Sequence, residues 1–235
     1  MHDVEKRSTA LPVEFRAAVE GAGSVLSGYA ARYNRYSQNL GGFVEQVAPG
    51  AFAKSLGDKV SVIARYNHDD NYLLGTTEAG TLVLVSDDEG LRYDVDLPDT
   101  TAGNDVGKLA ARGDLRYSSF AFHVLEDEWS VTEQGFPLRT LLNVQLVDVA
   151  PVNTPAYLDT STGLRSLAEH LHMDVEQVQA APLEEIRSLL NGEEIAPKIP
   201  DAEVRGEEQE DSSGQGDTHP LVNLRQRELE LLKLK

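Results

Sequence analysis

The sequence contains no cysteine, and this absence removes several kinds of chemistry at once. A chain without thiols can form no disulfide, no thiolate metal site and no cysteine nucleophile, so covalent catalysis would need an oxygen or a lysine. It also lacks any uncharged apolar run near the ~20 residues that a membrane-spanning helix requires, and the segment MHDVEKRSTALPVEF has no apolar core of a signal peptide. We therefore expect a protein with no secretory signal and no membrane partner.

Positive charge is also scarce. Lys and Arg number 21 against 39 Asp and Glu, which gives a formal net charge of -18 at pH 7. A negative surface field repels phosphate backbones, so this composition argues against nucleic acid as a partner. A protein partner is easier to accommodate.

From Val13 to about Val152, short apolar runs are broken at close intervals by glycine, asparagine and aspartate, which predicts strands joined by turns. Leu82 to Leu97 is predicted to form a hairpin. Helices are fewer here, and the pattern predicts them over AFAKSL and from Asn104 to Arg112. The predicted fold class is α+β and β-dominated, with a sheet or β-barrel decorated by helices.

The character of the chain changes after about residue 160, so the sequence divides into four predicted parts. Residues 1–160 form the main domain, and residues 161–192 form a helical annex that includes an Asp174–Gln177 capping box. Residues 193–219 are acidic, poor in apolar side chains and predicted to be disordered. Leucines in residues 220–235 predict a short C-terminal helix.

His68 is the first candidate for chemistry, because it follows the apolar run VSVIARY at the entrance to a loop. A histidine can serve as a general base near neutral pH. Two alternatives remain open from the residues alone. The motif can be a surface turn capped by aspartates, or His68, Asp69 and Asp70 can bind a metal, although neighbouring side chains on an extended segment point in different directions.

Ser119 is the second candidate. On a strand with a period of two it faces away from Phe120 and Phe122, so its hydroxyl can face a cleft while the aromatic rings enter the core. Serine becomes nucleophilic only when a base takes its proton, and His68 is the histidine we assign to that task. A purely structural serine pair, Ser118 and Ser119, is the alternative.

Asp148 is the third candidate, a lone carboxylate in the apolar segment VQLVDVAPV. A buried carboxylate without a partner is costly, so it should be paired or hydrogen-bonded. It can orient the imidazole of His68, as the acid of a serine-protease triad does. A salt bridge to Arg139 or Arg116 is the competing interpretation.

Five segments, in this order, resemble the prohead (capsid-maturation) serine proteases of tailed phages and prophages. They are GYAARYN, GGFVEQVAPGAF, NHDDNYLLGTT, DLRYSSFAFHV and LVDVAPVNTPAY, and the resemblance covers roughly residues 13 to 160. The resemblance implies His68 as base and Ser119 as nucleophile, and it places Asp148 where the family has a catalytic glutamate. Because aspartate is one methylene shorter, the histidine must lie closer or a water must bridge. Tyr117 and Ala121 stand where the family has glycines.

The resemblance also implies fold and function. The family is similar in fold to the herpesvirus capsid proteases, which implies a closed or nearly closed β-barrel wrapped by helices. The implied activity is a serine endopeptidase that cuts the scaffold segment of the phage major capsid protein, and itself, inside the immature prohead in the host cytoplasm. A homodimer is a further expectation, and no cofactor or metal is implied.

Two rival functions remain open. One is a catalytically inactive capsid-assembly scaffold protein that keeps the protease fold, and the changes at Ala121 and Asp148 favour it. The other is a metal-dependent hydrolase built on the His68 loop. The oxyanion donors stay undecided between Arg139 and the turn at Gly113.

Overall fold

The structure is a computed structural model that describes residues 4–9, 13–17, 23–154 and 160–192. The predicted acidic segment and C-terminal helix lie outside these residues. The described part contains no helix that is long and apolar enough to cross a membrane.

The strands are distributed over two sheets. One sheet has the order β1-β9-β10-β5-β6, with β4 also paired to β10, and the other has the order β2-β3-β8-β7. The strands are β1 (Glu5–Thr9), β2 (Glu14–Arg16), β3 (Val25–Arg32), β4 (Val44–Val47), β5 (Ile63–Arg65), β6 (Leu73–Thr76), β7 (Leu82–Ser86), β8 (Gly90–Asp96), β9 (Tyr117–Val131) and β10 (Pro137–Val152). The two longest strands, β9 and β10, form an antiparallel hairpin in the first sheet.

In the described part of the chain, five α-helices accompany the strands: α1 (Ala53–Gly57), α2 (Thr101–Ala111), α3 (Thr160–Leu171), α4 (Val175–Ala180) and α5 (Leu183–Leu190). Helix α2 begins earlier than predicted, because the Thr100 side chain accepts a hydrogen bond from the Gly103 N–H at 3.2 Å and caps the first turn. The capping box before α4 is present, with the Asp174 N–H donating to Gln177 Oε1 at 2.8 Å.

The main core lies between the two sheets. It combines apolar side chains from both, including Leu26, Tyr93, Val95, Phe120, Phe122 and Val149. Helices α3 to α5 bury a separate apolar cluster together with Phe43 and Trp129. The four-part domain division remains a prediction.

The fold is α+β and β-dominated, as the sequence predicts. Neither sheet closes on itself within the part of the chain that the structure describes, so the barrel and the likeness to herpesvirus proteases remain predictions. The hairpin of β7 and β8 forms where predicted. The sequence interpretation missed three strands. β1 and β4 are rich in polar side chains and lack a clear alternation, and β6 has only four residues, one of them a glycine.

Candidate active site

Strand β9 contains two neighbouring serines, Ser118 and Ser119, whose side chains point to opposite faces of the sheet. Ser118 shares the inner face with Phe120, and its Oγ lies 3.0 Å from the buried hydroxyl of Tyr93. Strand β3 passes close to this contact, and the absence of a side chain at Gly28 leaves room for it. A Cβ on Gly28 would lie 2.7 Å from Ser118 Oγ. Ser119 therefore projects from the opposite face of the sheet.

Asp148 reaches that same face because of a bulge in β10. Leu146 pairs with Phe122 on the core side, yet Asp148 pairs with Ala121, so the ladder shifts by one residue at Val147. In a regular strand, residues two apart share a face, and Asp148 would then enter the core with Leu146. The bulge turns the carboxylate outward from the core to the face of Ser119.

His68 lies in the turn that follows β5, the strand next to β10. Strand β5 runs parallel to β10 with Ile63 opposite Asp148, and a tight turn over Tyr66–His68 follows it. Asn67 and His68 both take left-handed backbone angles, with φ of 55° and 57°. The Asn67 side chain accepts a hydrogen bond from the Asn153 N–H at 3.0 Å and ties the turn to the end of β10. Such angles are uncommon for residues other than glycine and cluster at functional sites.

The three predicted side chains meet in one contiguous chain of contacts. His68 Nδ1 lies 2.6 Å from Asp148 Oδ1, and His68 Nε2 lies 2.6 Å from Ser119 Oγ. The histidine and aspartate side chains are only 5% and 4% exposed. With Nδ1 protonated toward Asp148, Nε2 is free to accept the serine proton. The carboxylate contacts the ring directly, so the shorter acid needs no bridging group.

A fourth residue, Arg65, completes the surroundings of the acid. Its Nε lies 2.9 Å from Asp148 Oδ2 without the alignment of a good hydrogen bond, and its guanidinium also pairs with Asp70. A salt bridge to Asp148 thus exists beside its contact with His68, and its partner is Arg65, not the Arg139 or Arg116 of the competing interpretation. The signal in the sequence was the arginine three residues before the histidine, on the strand that leads to it.

This geometry agrees with a comparison against protein families. The model of the Caudovirus prohead serine protease family matches residues 12–173 of the chain. The chain belongs to this family. The match covers more than half of the sequence and includes all three contacting residues.

Two further comparisons complete the picture of this prohead-protease family member. The capsid assembly protease of bacteriophage T4 is a similar solved structure, with 11% sequence identity and a TM-score of 0.48. The similarity covers 65% of this chain and 98% of the T4 protein. No curated protein matches the chain.

The loop that carries His68 does not gather metal ligands. Asp70 pairs with Arg65, and Asp69 accepts a hydrogen bond from the Asn71 N–H at 2.8 Å. Among the residues that the structure describes, no three His, Asp or Glu side chains are grouped as a metal site would need. The geometry therefore gives the metal-hydrolase alternative no support.

A second buried polar cluster lies toward the other end of the β9–β10 hairpin. Arg139 is 2% exposed and contacts Asp127 at 2.6 Å, Glu5 at 3.0 Å and Glu45 at 3.2 Å. Burial alone would lower the pKa of Arg139, but the carboxylates of Glu45, Glu5 and Asp127 outweigh it and raise that pKa.

Arg7 completes the cluster, which we call the ion cluster: Glu5, Arg7, Glu45, Asp127 and Arg139. The Arg7 guanidinium contacts Glu5 at 2.5 Å and Glu45 at 2.8 Å. Arg139 lies eleven positions along β10 from Ala150, the register partner of Ser119. Its guanidinium is paired with carboxylates of the ion cluster, far from Ser119, so Arg139 is not placed to donate to an oxyanion. The turn at Gly113 remains a predicted oxyanion donor.

Proposed function

We propose that the chain is an active serine endopeptidase in which Ser119 is the nucleophile, His68 the general base and Asp148 the orienting acid. The observation that carries the proposal is the unbroken contact from Asp148 through His68 to Ser119, at 2.6 Å on each side of the ring. Distances of this size allow direct proton transfer between serine and imidazole.

The proposed reaction follows from the order in which the three side chains contact one another. His68 Nε2 takes the Ser119 hydroxyl proton as the oxygen attacks a peptide carbonyl, and the imidazolium then gives that proton to the leaving amine. Asp148 accepts the Nδ1–H throughout, which keeps the ring in the required tautomer and stabilises its positive charge. A water, activated by the same histidine, hydrolyses the acyl-enzyme.

The proposed substrates are the scaffold segment of the phage major capsid protein and the protease itself, cut inside the immature prohead. Membership of the prohead protease family supports this proposal. Action as a homodimer and a barrel-like fold akin to the herpesvirus capsid proteases are further parts of the same proposal.

One observation favours the inactive scaffold protein as a second candidate. Ser119 is 0% exposed, so a substrate carbonyl cannot reach its hydroxyl in the conformation described. An assembly protein that keeps the fold without catalysis would have no need for an accessible nucleophile.

Co-expression with the capsid precursor distinguishes the two candidates. Wild-type protein should shorten the precursor, and Ser119→Ala should abolish this shortening, since loss of a triad serine lowers kcat by about 10⁶-fold in serine proteases. Ser118→Ala is the matched control, because it removes the adjacent hydroxyl from the opposite face of β9 and should retain processing. Equal processing by wild type and Ser119→Ala, or none by wild type, would contradict the proposal.

A further inference from the structure

A groove of about 550 Å³ lies beside β1 and is bounded by the end of β3 and by β4. We call it the basic groove, because its charged lining residues in the described part of the chain are four cations and one carboxylate: Lys6, Arg7, Arg32, Arg35 and Glu45. The whole chain has the opposite bias, with 39 acidic residues against 21 basic ones. A cationic groove on an acidic protein attracts a negatively charged ligand.

Two of the four cations are already paired within the fold. Arg7 belongs to the ion cluster and donates to both carboxylate oxygens of Glu45, at 2.8 and 3.0 Å. Arg32 pairs with Glu89 at 2.6 Å. Glu45 is 3% exposed and its charge is compensated by Arg7 and Arg139, so it does not repel an anion that enters the groove.

The other two cations are available to a ligand. Lys6 and Arg35 are exposed, and neither forms an ion pair with any residue that the structure describes. Apolar surface lies next to these charges, since Tyr36, Leu40 and Val47 also line the groove and Tyr36 is 55% exposed. Positive charge beside apolar surface favours a peptide that carries both carboxylates and aliphatic side chains over a small inorganic anion.

The acidic segment of this chain has that composition. Residues 193–219 contain nine aspartates and glutamates against two basic residues, Lys198 and Arg205. Three aliphatic side chains, Ile195, Ile199 and Val204, stand between the acidic ones. The segment therefore complements the basic groove in charge and in apolar character.

The acidic segment also begins near the groove. It follows Gly192, two residues after the end of α5. Leu40, which lines the groove, belongs to the same buried apolar cluster as Ile186 of α5, and Leu190 packs against that cluster. An extended chain spans about 3.3 Å per residue, so ten residues cover about 30 Å. Tethering raises the local concentration of the segment to about the millimolar range, so weak contacts are sufficient for binding.

We propose that the basic groove binds residues 193–219 of the same chain, and that Lys6 and Arg35 pair with carboxylates of this segment. The groove is then an intramolecular docking site for an acidic peptide. The inference does not depend on the proposed function, because it concerns a surface to which the triad side chains do not contribute.

Photo-cross-linking from inside the groove tests this inference. Tyr36 is replaced by p-benzoylphenylalanine in a full-length Ser119→Ala chain, in which the proposed self-cleavage cannot remove the acidic segment. After irradiation and digestion, mass spectrometry should find the new side chain joined to residues 193–219 within a monomer. Tyr72 is the control position, because it is 44% exposed but precedes β6, at the other end of the sheet from β1. Its cross-linking to the segment should be at least about tenfold weaker, since only the docked segment has a high local concentration at Tyr36.

Charge reversal in the groove tests how the segment is recognised. Lys6→Glu with Arg35→Glu should lower the cross-linking yield from Tyr36 at least about tenfold, because like charges then face each other. Lys54→Glu with Lys108→Glu is the matched control. It changes the net charge equally, at two exposed lysines that do not line the groove, and should leave the yield unchanged.

The opposite reversal in the segment separates recognition from damage to the groove. Lysines are introduced into the groove variant at four acidic positions of the segment: Asp201, Glu203, Glu207 and Glu208. They should restore the cross-link, because opposite charges face each other again.

Several outcomes would overturn the inference. They are equal yields from Tyr36 and Tyr72, an unchanged yield in the groove variant, and no recovery when the segment is reversed. A product of dimer size would assign the groove to a second copy, and a cross-link that forms only with added capsid precursor would assign it to that partner. The proposed function is unaffected by any of these results, since it depends on the separate comparison of precursor processing by wild type and Ser119→Ala.

Discussion

Two buried polar clusters lie on the β9–β10 hairpin, one toward each end, and they differ in composition. The triad contains one carboxylate, one imidazole and one hydroxyl, with Arg65 beside the acid. The ion cluster contains two guanidinium groups and three carboxylates in mutual contact. In the first cluster a hydroxyl lies 2.6 Å from an imidazole nitrogen that can accept its proton, whereas the second contains only fixed charges.

The difference distinguishes the buried polar groups to which we assign a proposed catalytic role from those that maintain the fold. In the ion cluster every charge faces an opposite one, so its members stabilise the packing of β1, β4, β9 and β10 against one another. In the triad, the weak base and the hydroxyl are poised for transfer. Strand β1 contacts both clusters, since Arg7 joins the ion cluster with its side chain and meets Ser119 with its carbonyl.

After the loss of Ser119 itself, the largest expected effect comes from replacing the acid of the triad. Asp148→Asn should lower kcat for casein hydrolysis by about 10⁴-fold, because an amide favours the wrong imidazole tautomer and cannot stabilise the imidazolium. Asp127→Asn is the matched control, since it makes the same chemical change in the ion cluster. It should leave kcat within a few-fold of wild type.

A similar loss of activity in both variants would contradict this assignment of roles. It would show that the carboxylates act through the stability of the hairpin and not through the histidine. Measuring kcat on protein that retains its folded circular dichroism spectrum separates these causes.

The next effect is on stability. Arg139→Met should lower the free energy of unfolding in urea by about 3–5 kcal/mol, because it leaves buried carboxylates without their shared partner. Lys54→Met is the control, since Lys54 pairs with Asp58 on the surface, where both side chains are more than half exposed, and its loss should cost at most about 1 kcal/mol. Equal losses in the two variants would mean that the ion cluster contributes no more than a surface pair.

Much of this architecture can be predicted from local patterns. Alternating apolar residues gave the hairpin of β7 and β8 and the inward direction of Phe120 and Phe122, and the Asp174 capping box gave the start of α4. These features depend on residues close together in the chain. Local periodicity and turn chemistry are sufficient for them.

Other features depend on contacts between distant residues, and the sequence does not show them. The bulge at Val147 depends on the register of β10 against β9. β1 has a charged sequence, EKRST, that resembles a loop, and only the buried partners of Glu5 and Arg7 make it a strand. The pairing of Asp148 with Arg65 likewise requires β5 to lie beside β10. Tertiary context overrides local preference at each of these positions.

The smallest effect concerns the length of the acid. Asp148→Glu restores the residue that the family resemblance leads us to expect, yet it should lower kcat/KM for casein by about 10- to 100-fold, since an added methylene in a packed site costs about 1–3 kcal/mol. His68 already touches the aspartate at 2.6 Å, and Arg65 lies 2.9 Å from its other oxygen, so the longer side chain must displace one of them. Asp127→Glu is the control, because its side chain is 22% exposed and has room to extend. Activity of Asp148→Glu at or above that of wild type would show that the turn of His68 adjusts to either acid, and that the triad is less rigidly packed than the ion cluster.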